Sequence, residues 1–182
     1  MKKALNLVFA AVLAVGSAGL AFAGGDVPAG NPQLEQRLSG EVRHQLAMIP
    51  QFTVFDNLAY RVDGGTVTLY GEVRNAVIKD VAEKSVKRLE GVQRVDNQIE
   101  VLPASFNDDR IRRQVARAVF NDPRLSSYAI EPVPPIHIIV KNGHVDLQGV
   151  VRTQTDKDDA FIRANGVFSV ENHLQVELPR KG

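Results

Sequence analysis

Val67-Thr-Leu-Tyr-Gly-Glu-Val-Arg74 decides the fold, because the chain returns to it at Val145-Asp-Leu-Gln-Gly-Val-Val-Arg152. In both stretches apolar residues alternate with others, a glycine holds the fifth place and an arginine closes the run. A period of two is the mark of a half-buried strand. Asp63-Gly64-Gly65 precedes the first stretch and Asn142-Gly143 the second. Such pairs supply the positive φ of a tight hairpin turn, so an antiparallel strand precedes each. Leu58, Tyr60 and Val62 then share a face with Val67, Leu69 and Val73, as Ile136, Ile138 and Val140 do with Val145, Leu147 and Val151. Gly71 and Gly149 fall on the inward phase, where a missing side chain lets a helix approach the sheet or marks a bulge.

Outward from the hairpins the two halves keep echoing. An amphipathic helix comes before each, with Leu34, Leu38, Val42 and Leu46 in one half and Ile111, Val115 and Val119 in the other. A second helix follows each hairpin. The first spans roughly 76–89, with Ile78, Val81, Ala82, Ser85 and Leu89 inward and Asp80–Lys84 and Glu83–Lys87 spaced for i,i+4 pairs. The second has Thr155 as its expected N-cap and Asp156, Asp158 and Asp159 at its positive end. Gly91-Val-Gln-Arg-Val-Asp-Asn-Gln-Ile99 and Gly166-Val-Phe-Ser-Val-Glu-Asn-His-Leu174 then each stop a helix and begin a last strand. That strand carries Val95, Ile99 and Val101, or Val170, Leu174 and Val176, and the intervening helix makes it parallel to the strand before. The fold class is α+β: two tandem α-β-β-α-β domains, 33–103 and 108–182, each a small mixed three-stranded sheet with two helices on one face. Two departures stand out. Gly166 follows Gly149 more closely than Gly91 follows Gly71, which predicts a later helix shorter by about a turn in the second copy. That copy also has a proline-rich lead-in, Glu131–Pro135, to its first strand.

The 182 residues begin Met1-Lys2-Lys3, continue in an apolar run to Phe22 and reach Ala21-Phe22-Ala23 before Gly24-Gly25. These are the three regions of a secretory signal peptide, so residues 1–23 are expected to be cleaved and 24–32, rich in Gly and Pro, to form a linker. Of 22 Lys+Arg and 21 Asp+Glu, the leader takes two lysines, leaving 20 basic residues against 21 acidic. Such a balance argues against a nucleic-acid partner. Without cysteine there is no disulfide, thiolate metal site, cysteine nucleophile or thioether lipid anchor. The expected location is the periplasm, without a lipid anchor.

The domain order, the V-x-L-x-G-x-V strand and the closing G-V-x-x-V-x-N-x-[IL] are similar to the BON domain family. Val67, Leu69, Gly71, Val73, Gly91, Val92, Val95, Asn97 and Ile99 carry the resemblance in the first copy. Val145, Leu147, Gly149, Val151, Gly166, Val167, Val170, Asn172 and Leu174 carry it in the second. It implies a non-catalytic periplasmic module of envelope or osmotic stress protection that associates with phospholipid membranes. The alternative it implies is a chaperone-like module that interacts with envelope proteins. Related double-domain proteins are anchored by lipid at the outer membrane; here the acceptor cysteine is lacking, so membrane contact is expected to be reversible.

Catalysis finds no motif. His44, His137, His144 and His173 have no ligand spacing, and Asp156, Asp158 and Asp159 lack the Gly and Glu of a calcium loop. No cofactor or metal is expected. The one concentrated charge feature is Asp108-Asp-Arg-Ile-Arg-Arg-Gln-Val-Ala-Arg117. At about 100° per residue Arg110, Arg113 and Arg117 form one narrow stripe, with Arg112 at the edge of the apolar face. Guanidinium forks suit lipid phosphates. Arg110, Arg112, Arg113 and Arg117 are therefore the candidate lipid-binding residues, for an anionic phospholipid surface. Asp108 and Asp109 are expected to blunt their field.

Overall fold

The computed structural model describes residues 32–177 except 132 and 166–168. The expected signal peptide and residues 24–31 of the linker lie outside the described residues. The first domain runs α1 (Pro32–Ala47), β1 (Asn57–Asp63), β2 (Thr66–Val73), α2 (Ala76–Lys87), β3 (Arg94–Asn97) and β4 (Glu100–Val101). The second runs α3 (Phe106–Phe120), a one-turn α4 (Ser126–Ala129), β5 (Ile136–Lys141), β6 (His144–Val151), α5 (Gln154–Asn165) and β7 (Val170–Val176). Both hairpins are antiparallel, with Val62 opposite Val67 and Val140 opposite Val145, and the closing strands lie parallel to β2 and β6. Each sheet packs its inward residues against two helices, giving one core around Val42, Leu58, Leu69 and Ile78 and another around Val115, Ile138, Leu147 and Ala160.

The shared glycines and asparagines now have physical reasons. Gly71 and Gly149 have φ of +118° and +117°, and a Cβ there would stand 2.2 Å from the Asn57 carbonyl oxygen and 2.1 Å from that of Pro135. The close neighbour is therefore the partner strand's backbone rather than a helix. Asn97 donates through Nδ2 to the Lys79 carbonyl and to Glu83 while Oδ1 accepts from the Ile99 N–H. Asn172 likewise donates to the Lys157 carbonyl and accepts from the Leu174 N–H. One side chain thus ties each closing strand to the second helix. In the first domain the expected single strand is split into β3 and β4.

Three expectations are corrected. Helices α2 and α5 are both 12 residues long. The extra length of the first copy lies in its connection: seven residues separate Lys87 from Val95, and four separate Asn165 from Val170. Thr153, not Thr155, caps α5, its Oγ1 accepting from the Asp156 N–H at 3.1 Å. Neither i,i+4 pair on α2 closes among the described residues; Glu83 instead accepts from the Asn97 side chain.

The domains dock through a strap, residues 52–57. Val54 accepts at 2.7 Å from the Ile138 N–H, on the edge of β5 that β6 leaves free. Phe55 packs against the second domain's core, with the Arg74 guanidinium 5.2 Å above its ring. The Asn57 side chain donates to Gln148, Lys141 pairs with Glu100, and Arg74 lies 3.8 Å from Asp109. Asp56, itself buried, holds the strap in shape by accepting from the backbone and hydroxyl of Thr53 and from the Arg74 N–H. The strap lies against His137 at one end of an asymmetry between the copies. Ile136–Val140 are all buried, including His137 and Ile139 on the face that alternation alone would leave open, whereas β1 alternates along its length.

Candidate functional site

Ser105 opens α3 as its N-cap, accepting from the Asp108 N–H at 3.2 Å. Ile111, Val115 and Val119 turn inward and are fully buried. The opposite face then carries Arg110, Arg113 and Arg117, all exposed. Arg110 is steadied by neutral neighbours, Gln114 and Asn107, each at 3.0 Å. Among the described residues no carboxylate lies within ion-pair distance of Arg110, Arg113 or Arg117. The three sequence-derived positions therefore come together as a free cationic stripe.

Arg112 does not belong to it. Its side chain is 3% exposed, pairs with Asp109 at 2.7 Å and donates to the Val140 carbonyl. With Nη1 and Nη2 engaged and the unpartnered Nε itself buried, this guanidinium presents nothing to a phosphate at the surface. Arg112 instead pins α3 to β5.

The expected screening by the helix-start acids is absent too. Asp108 is 2% exposed and spends both oxygens on the hairpin turn, accepting from the Asn142 N–H at 3.1 Å and the Gly143 N–H at 2.8 Å. Asp109 faces Arg112 and Arg74. Glu35 does the work of Asp108 in the first copy, accepting from the Gly64 N–H at 3.0 Å. That equivalence aligns the helices and places Arg37, Gly40 and His44 where the second copy has Arg110, Arg113 and Arg117. Arg37 is moreover engaged by Glu41 and Glu90. Only the second copy carries the stripe.

Sequence reasoning missed Phe106. It opens α3 four residues before Arg110, at the head of the same stripe, and is 97% exposed. Its signal was its place: i, i+4, i+7 and i+11 lie on one helix face. At the other end of α3 an open cleft of about 390 Å³ is lined by Arg117, Ala118, Asn121, Asp122, Pro123 and Arg163. Asp122 takes up Arg163 at 2.8 Å, which leaves Arg117 as the cleft's uncompensated charge. The Arg124 backbone N–H, and after it Arg163, hold the Asp122 carboxyl below the usual carboxylate range.

Most of the remaining candidates for chemistry have structural partners. Asp156 accepts at 2.8 Å from the Tyr128 hydroxyl, which accepts in turn from the Arg152 N–H, and the Arg152 guanidinium lies 4.3 Å above the Tyr128 ring. Burial, ahead of Asp156, pushes that hydroxyl's pKa upward. Asp158 meets Gln154 and Asp159 meets Arg124. His173 lies 2.7 Å from Asp146, His44 and His144 are exposed, and His137 is buried at the strap. Among the described residues no group of three or more His, Asp or Glu is arranged to hold a metal ion, and no helix is long and apolar enough to cross a membrane.

Comparison with known proteins gives a consistent picture. Residues 35–103 and 107–177 each match the BON domain. The outer membrane lipoprotein DolP of Haemophilus influenzae is 32% identical over 117 residues, which cover 62% of this chain and 57% of that protein. The chain thus spans a little over half the length of this relative. Two solved structures of CdsD, a structural protein of the type III secretion system of Chlamydia trachomatis, one of them of its C-terminal domain, align over 78% of this chain and 98% and 92% of theirs. Their identity is 14% and their TM-score 0.29, and nothing further rests on them.

Proposed function

The chain belongs to the BON domain family, and from that premise we propose that it is a non-catalytic protein of the bacterial envelope whose second domain docks reversibly on anionic phospholipid surfaces. The name of the similar lipoprotein supports the envelope setting. The observation that carries the docking reading is the unpaired Arg110, Arg113 and Arg117 stripe headed by the exposed Phe106 ring. A cation near an anionic leaflet contributes about 1 kcal/mol, and burying an aromatic side chain in the acyl boundary contributes roughly 1.5–3 kcal/mol. Three arginines and one phenylalanine together reach the strength of a weak peripheral anchor, which two kinds of contact make more stable than either alone. The cleft beside Arg117 is large enough for a phosphate-bearing head group. Protection of the envelope under osmotic or other stress is the role this docking would serve.

The test is co-sedimentation of the chain lacking residues 1–23 with vesicles of neutral lipid and of neutral lipid doped with anionic lipid. Binding is expected to the doped vesicles, to weaken with salt, and to fall with R113E/R117E. Equal binding to both vesicle types would remove the electrostatic basis of the proposal.

A second reading, capture of envelope proteins by strand addition, draws on β7. Its seven residues pair only with β6 among the described residues, leaving an open edge. It requires that the chain suppress client aggregation with no vesicles present; failure with several β-rich clients counts against it.

A further inference from the structure

His137 is the one histidine buried where the two domains meet. It is 7% exposed, its ring lies 5.6 Å from that of Phe52 on the strap, and its Cδ2 lies 3.3 Å from where a Gly149 Cβ would stand. Its polar neighbour on the strap is the Asp56 backbone carbonyl, and Nδ1 has no partner. A neutral imidazole fits this slot. A charged one brings a second N–H and finds nothing to receive it.

We propose that His137 is the release of a proton-sensitive latch: charging its ring frees the strap of the first domain from β5, and the two domains part. The residues that would let go are Val54, Phe55 and Asn57, which reach across to Ile138, the second core and Gln148.

The charged groups around the ring decide the sign. Asp56 favours the cation, but its carboxylate is engaged by Thr53 and the Arg74 N–H. Glu72 on β2 and Asp146 on β6 face each other across the interface, with Lys141 held by Glu100 and Arg74 by Asp109 of α3. Burial dominates and pushes the His137 pKa down to about 4. A released ring returns toward its ordinary value of about 6.5. The closed arrangement is thus fully favoured above about 6.5 and loses ground as pH falls toward about 4, tenfold per pH unit and roughly 300-fold in all. Glu72 acts oppositely. Burial first, then Asp146 and Glu100, raise its pKa, so its protonated form favours closure and that contribution is lost as pH rises.

The chain has no cysteine, so K87C and D158C, exposed and one in each domain, give a dye pair without side products. Energy transfer is followed from pH 7.5 to 3.5 in the chain lacking residues 1–23 and in E72Q, which removes the opposing titration. Transfer is expected to fall below pH 6.5 in both, more steeply in E72Q, and to stay level in H137F, whose ring cannot charge. Should H137F not fold, the imidazole nitrogen shifts of the unsubstituted chain decide: the midpoint of His137 charging must coincide with the fall. Transfer that stays level in both proteins, an unchanged fall in folded H137F, or charging of His137 near pH 6.5 with no fall would each overturn the latch.

Discussion

Arg112 and Arg113 are neighbours in sequence and opposites in role. Arg112 is buried against Asp109 and the Val140 carbonyl, so R112A leaves that carbonyl without its donor and Asp109 with Arg74 alone, and is expected to cost about 1–3 kcal/mol in thermal or denaturant unfolding. Vesicle binding per folded molecule should not change. The exposed R113E should do the reverse, leaving stability within about 0.5 kcal/mol of the parent and weakening anionic vesicle binding several-fold. Phe106 separates the two contributions to docking. F106S is expected to lower vesicle affinity about tenfold or more while the slope of affinity against salt stays unchanged, since the charges remain. Gly149 is decided by geometry alone. G149A puts a Cβ 2.1 Å from the Pro135 oxygen at a φ of +117°, and a loss of about 2 kcal/mol or more should appear as a lower melting temperature.

At the scale of elements, alternation and helical spacing were enough to place all but the shortest helices and strands. What they could not place was set by partners far away in sequence. The strap packs on the second domain through Val54, Phe55 and Asn57, residues with no local pattern, and its Phe52 ring lies against His137 on a face that alternation leaves open. Phe55 has its own test. F55A removes a ring from the second domain's core and is expected to cost about 2–4 kcal/mol and to loosen the domains at neutral pH, where the His137 ring is uncharged. In α3, the wheel found the stripe, but not which acids would quench it. Asp108 turned out to be tied to the Asn142-Gly143 turn, an interaction reaching across 35 residues that no spacing rule announces. Phe106 shares the face of Arg110, Arg113 and Arg117 on the wheel, but its nearly complete exposure shows only in the folded chain.

Across the whole molecule, duplication has produced two domains with one plan and different surfaces. Asn97 and Asn172, and Gly71 and Gly149, do the same work in each copy, which is why the family signature could be read directly from the chain; Glu35 and Asp108 share a role outside it. The copies diverge where they meet each other and where they meet the outside. The first supplies the strap; the second supplies the arginine stripe, at positions where the first has Arg37, Gly40 and His44. A near-zero net charge therefore conceals a local one. The measurement that tests this division of labour most directly is the affinity of the chain for anionic vesicles, compared between the parent and R110E/R113E/R117E at matched fold stability. Salt-sensitive binding by the parent is expected, with a loss of roughly 100-fold or more in the triple variant, at about 1 kcal/mol per arginine lost and more for each reversed sign. Undiminished binding by the folded triple variant would contradict it.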